Sequence, residues 1–154
     1  MKNRLITLSV AIACLGVPAS WAQSPHHMMV TSADLKWTDV PSLPPGAKIA
    51  VMEGPLNEAA PITFRLKFPA DYKLAAHWHP GIEHVTVISG TFNMGTGDTL
   101  DASKTMSLSA GSFAIMQPKT NHFAWTKEET IVQVHSVGPW ALNYVNPADD
   151  PRKK

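Results

Sequence analysis

The sequence predicts an all-β domain, a sandwich or a barrel, on three observations. Short β-rich segments follow one another from Lys48 to Val145, separated by frequent glycine and proline turns. Pro61–Phe68 alternates cleanly, with Ile62, Phe64, Leu66 and Phe68 toward a core and Thr63, Arg65 and Lys67 toward water. No window carries helical periodicity over three turns. An open edge in so small a sheet system invites aggregation, so closure, or burial of an edge against a partner, is expected.

Residues 1–22 read as a secretory signal peptide. Lys2 and Arg4 open it, Leu5 to Val17 is apolar, and Ser20-Trp21-Ala22 ends in the small residues a signal peptidase reads. The apolar run falls short of the ~20 residues that span a bilayer, and no later run approaches that length. Cys14 lies inside the run, with Leu15-Gly16-Val17 continuing past it, which argues against lipid attachment there. A periplasmic or secreted protein follows, with no membrane association after cleavage. Gln23–Lys154 then contains no cysteine, which excludes disulfides, thiolate ligands and cysteine nucleophiles.

The 154-residue chain has 13 basic residues, of which Lys2 and Arg4 belong to the signal, against 12 acidic ones. The remainder carries a net charge of about −1 with no basic stripe, so nothing recommends nucleic acid or anionic lipid as a partner. Its length suits one domain with a real core, and no internal repeat is visible.

Residues 23–46 form an N-terminal arm. Its His26-His27-Met28-Met29 offers a copper-type ligand set or a frayed terminus, and its position favours the terminus. A short strand is expected near Leu35 and Trp37, then a loop over Pro41–Gly46. Residues 47–146 form the β domain. Strands are expected at Lys48–Met52, at Pro61–Phe68 and through His77. Val85–Ile88 and Thr91–Met94 read as a hairpin about Ser89-Gly90. Further strands follow at Thr105–Leu108, Phe113–Met116, His122–Thr126, Thr130–Val134 and Trp140–Val145, and residues 147–154 form a polar tail.

The densest chemistry lies in Ala75–Gly90. His77 and His79, two apart on a strand, present their imidazoles on one face. Pro80-Gly81 breaks the chain, and Glu83 can return to the same point from the next strand. Two imidazoles and a carboxylate suit a divalent first-row transition metal, and His122 offers a fourth ligand. His84 points to the opposite face. His135 is read either as a donor orienting a ligand or as a hydrogen-bonded strand-end residue, the second being favoured. Trp125 and Trp140 are read as core or interface aromatics, and Met94, Met106 and Met116 as gap fillers.

His77-Trp78-His79, three residues, Glu83, six residues and Gly90 resemble the first metal motif of the cupin superfamily, and Gly111, Pro118 and His122 resemble the second. The resemblance runs from about Lys48 to Val145 and is similar to that of small exported bacterial cupins. It implies a double-stranded β-helix, or jelly-roll, barrel, often a homodimer, with His77, His79, Glu83 and His122 as metal ligands near one mouth. Mn, Fe, Ni, Co, Cu and Zn all suit three imidazoles and a carboxylate.

The expected activity is that of a metal-dependent oxidoreductase, dioxygenase-like, on a small oxygen-bearing substrate, with Glu83 available as a base. A non-catalytic metal-dependent ligand-binding module, or isomerase or lyase chemistry, needs the same site.

Overall fold

The computed structural model describes residues 27–154. The signal segment with Cys14, and His26 of the His-Met cluster, lie outside the described residues. Among the described residues, eleven strands form in chain order. They are β1 (Thr38–Asp39), β2 (Lys48–Glu53), β3 (Pro61–Phe68), β4 (Lys73–Trp78), β5 (Glu83–Ser89) and β6 (Thr91–Thr96), followed by β7 (Met106–Ser109), β8 (Phe113–Met116), β9 (His122–Trp125), β10 (Thr130–Val137) and β11 (Asn143–Tyr144). They build two antiparallel sheets, one ordered β1-β2-β3-β10-β5-β8 and the other β11-β4-β9-β6-β7. No described helix is long and apolar enough to cross a membrane.

The alternation in β3 places Ile62, Phe64 and Phe68 in the core between the sheets, where Val132 and Val134 of β10 meet them. Phe68 stacks on Phe92 across the two sheets, with centroids 5.5 Å apart. Each such apolar side chain, fully buried, contributes about 1.5–3 kcal/mol. Tyr72 packs beside Phe68 at this end, and its hydroxyl donates to Pro44 O at 2.7 Å. The Tyr144 hydroxyl donates to Ser42 O at 3.0 Å. These two bonds hold the segment that carries Leu43 into the core.

Several expectations are corrected. β5 and β6 do not form a hairpin: β5 pairs with β10 and β8, whereas β6 pairs with β7 and β9. Only Gly90 separates them, and a tight hairpin needs two loop residues. Gly90 (φ +74°) instead turns the chain from one sheet to the other. The last strand is shorter than Trp140–Val145, covering Asn143–Tyr144, the residues that pair with Trp78 and His77 of β4. The short early strand falls at Thr38–Asp39, beyond Trp37, whose ring lies under the Lys67 ammonium at 4.6 Å. The C-terminal tail is docked: Asp150 is buried and pairs with Arg152, which donates from Nη2 to Leu142 O at 3.0 Å.

Candidate metal centre

The ligand candidates come from both sheets. His77 on β4 and His122 on β9 are direct cross-strand partners. Between Leu74 and His77 the register shifts: β4 advances three residues while β9 advances two. This bulge changes the phase of β4, so Leu74 and His77, three apart, both face the interior. His79 follows just past the strand end, and its carbonyl accepts from the N–H of Lys119, whose φ of +61° bends the loop before His122. Glu83 opens β5 in the facing sheet.

The three histidines converge, and Glu83 stands beside two of them. Donor atoms of His77, His79 and His122 lie within 4.8 Å of one another. Glu83 Oε1 is 3.6 Å from His79 Nε2, and Glu83 Oε2 is 3.3 Å from His122 Nε2. All four residues are buried, none more than 6% exposed.

Each histidine is oriented through its other nitrogen. Nδ1 of His77, His79 and His122 lies 2.8 Å from the carbonyls of Ala75, Ala141 and Thr120 respectively. A carbonyl only accepts, so each Nδ1 carries a proton, and Nε2 is the nitrogen left facing inward. Trp140 fixes the plane of His79, stacking on it with centroids 4.1 Å apart at 21°.

Electrostatics disfavour a second proton on His77 and His79. Burial, then the neighbouring His122 and His79 rings, holds the His77 imidazole well below its ordinary pKa. Burial also lowers His79, against the pull of Glu83. For Glu83, burial works to raise the carboxyl, while a proton on the His79 or His122 Nε2 outweighs it and holds the pKa below its ordinary value. The cluster therefore gathers three inward-facing imidazole nitrogens with a carboxylate beside them. His79 Nε2 and Glu83 Oε2 are both enclosed without a hydrogen-bond partner.

Such an arrangement calls for a cation. Zinc bonds imidazole nitrogen and carboxylate oxygen at about 2.0–2.2 Å, which sets neighbouring ligand atoms about 3–3.5 Å apart, close to the separations found here. The three buried imidazoles fit a divalent transition metal, with His77, His79 and His122 to hold it and Glu83 standing beside two of them.

The other sequence candidates fall elsewhere. His84 lies on the outer face of β5, its ring stacked with Phe113 at 6.0 Å. His135 is exposed on that face, its Nδ1 3.0 Å from Thr63 Oγ1 and its Nε2 2.8 Å from Gln133 Nε2, and it orients no ligand. Sequence reasoning missed the roles of Trp140 and of the Ala141 carbonyl. An aromatic residue opening the expected last strand was the available signal, but nothing local ties it to His79.

From the cluster a cavity of about 110 Å³ runs into the barrel interior, walled by Leu43, Phe64, Phe92 and Leu142 among others. Two facing antiparallel sheets with metal-type ligands inside one end define a double-stranded β-helix of the cupin kind. The chain belongs to the ChrR cupin-like domain family, whose model matches residues 25–141. No curated protein matches it in sequence.

Solved structures share the fold at low identity. The polyketide cyclase RemF from Streptomyces resistomycificus is 13% identical over 83% of this chain and 92% of its own, with a TM-score of 0.67. An RmlC-like cupin from Ralstonia eutropha is 18% identical over 81% of this chain and 76% of its own, with a TM-score of 0.62. Salicylate 1,2-dioxygenase from Pseudoaminobacter salicylatoxidans is 12% identical over 65% of this chain, with a TM-score of 0.54; the match spans 29% of that larger chain.

Proposed function

We propose that this chain is a metal-dependent oxidoreductase of dioxygenase type acting on a small oxygen-bearing substrate. The observation that carries it is the buried meeting of three imidazoles, each with its Nδ1 spent on a carbonyl, beside a carboxylate at the end of an apolar cavity. A divalent metal held there supplies a Lewis acid and, if redox-active, a means of using dioxygen. The chain's own residues do the rest. His77, His79 and His122 fix the positions of the donors, the apolar walls exclude water, and Glu83, ionised at neutral pH, is placed to accept a proton. RemF and salicylate 1,2-dioxygenase carry enzymatic activities on the same fold, which supports turnover.

One observation favours a second reading, metal-dependent binding of a small ligand without turnover. Apart from the ligand candidates, the described cavity lining contains no acid, base or lysine to move a proton. Oxygen uptake over diketones, flavonols and phenols, with protein reconstituted in turn with Fe, Mn, Ni or Cu, separates the readings. Uptake with at least one metal and substrate, abolished by His122→Ala, is expected. Silence across the panel alongside tight ligand binding would establish the binding module.

We also place the mature protein in the periplasm or outside the cell, on the reading of residues 1–22. We propose a homodimer, supported by the apolar side chains on the outer face of β5 and β8.

A further inference from the structure

The cavity at the metal centre is chemically one-sided. Beyond the four ligand candidates, its described lining offers two hydrogen-bonding side chains, the Ser42 hydroxyl and the Trp140 indole N–H. No lysine, arginine, asparagine, glutamine or tyrosine side chain reaches it, and the remaining wall is aliphatic or phenyl. At about 110 Å³ its inner part approaches the scale of one six-membered ring, since an apolar cavity of about 150 Å³ holds a benzene, and its open end leaves room for substituents.

From this lining we infer that the site selects an uncharged, ring-sized apolar molecule carrying its oxygen atoms at one end, and rejects the carboxylate analogue of the same shape. The inference rests on the metal reading for where those oxygens go, and on the cavity walls for the rest.

The physical reason is the fate of the second carboxylate oxygen. One oxygen of an aryl carboxylate can be drawn to a cation held by the histidine cluster. Its partner then faces a wall whose only donors are the Ser42 hydroxyl and the Trp140 N–H, with no cationic side chain to neutralise it and Glu83 as a like charge nearby. A buried anionic oxygen without a compensating charge is strongly disfavoured. A methyl group in that position meets Leu, Phe and Val side chains instead, a favourable exchange. Sugars and other polyols are disfavoured on the same ground, because their hydroxyls outnumber the available partners.

The test uses a matched pair, 2'-hydroxyacetophenone and salicylate, which place two oxygens alike and differ in a methyl for an anionic oxygen. Binding of each is followed by thermal shift and titration calorimetry on the full mature chain, both metal-free and loaded with Co²⁺. Visible absorption reports cobalt binding separately, with His122→Ala as its control. The neutral ketone is expected to bind roughly tenfold or more tighter than salicylate in the loaded protein. The same order, with smaller shifts, is expected in the metal-free protein. Salicylate binding as tightly as the ketone, or more so, overturns the inference, as does the absence of any ketone shift in both forms. Failure of Co²⁺ to bind instead overturns the metal reading, and the metal-free comparison then decides this inference by itself.

Discussion

Each of the three histidines donates from Nδ1 to a main-chain carbonyl, so the pocket collects acceptors and leaves them to repel one another unless a cation is present. Glu83→Gln tests that account because an amide can donate where a carboxylate cannot. The variant is expected to lose more than about 100-fold in metal affinity, beyond what removal of a supporting partner costs. Its metal-free form should melt no lower than the metal-free wild type, since the new N–H can serve His79 or His122. Chelator titration with differential scanning calorimetry reads both. The pH dependence follows from the same environment. His77 and His79 titrate lower when folded than when unfolded, so below about pH 6.5 the unfolded chain binds more protons. Their contribution to stability is complete above that pH and is lost as pH falls toward the folded values, at up to about 1.4 kcal/mol per pH unit for each ring. Metal occupancy should fall below about pH 6, and melting curves from pH 8 to 5 with and without metal check both slopes. The motif was legible because strand periodicity and the His-x-His spacing are local. The bulge before His77, the Trp140 stack and the Ala141 carbonyl were not, since each depends on which strand lies alongside.

Among the elements, β3 and β8 were read with the boundaries they adopt, because alternation and flanking turn residues are properties of the segment itself. The supposed hairpin at Ser89-Gly90 failed for a different reason. β5 and β6 each alternate correctly, but alternation does not name a pairing partner, and here the chain leaves one sheet to enter the other. Gly90 makes that passage possible. A Cβ built there would lie 2.5 Å from Glu129 O and 2.6 Å from Thr130 Oγ1, at a φ of +74° that L-residues avoid. Gly90→Ala is therefore expected to destabilise the fold by about 1–3 kcal/mol, the cost of a strained backbone position. The urea midpoint should drop without a change in slope, and metal stoichiometry should be retained at low temperature. An unchanged midpoint would mean that the corner relaxes and that Gly90 is not what separates the sheets.

At the scale of the whole molecule, the two sheets end in strands that manage exposure differently. β1 and β11 are two residues each, too short to template another chain. β8 runs four residues along the edge of the six-stranded sheet and carries Phe113 and Ile115, 54% and 44% exposed, on its outer face. They pair in register with Thr86 and His84 of β5, whose Ile88 continues the same face. Long apolar side chains grouped beside a free strand edge call for a cover, and a second copy meeting face to face by a two-fold axis supplies an identical patch. Phe113→Glu places a charge at the centre of that contact without touching the metal cavity. Sedimentation velocity is expected to show the wild type as a dimer and the variant as a monomer, with cobalt absorption the same in both. A wild type that sediments as a monomer at high concentration would sink the dimer and leave the metal centre untouched, because all four ligand candidates come from one chain.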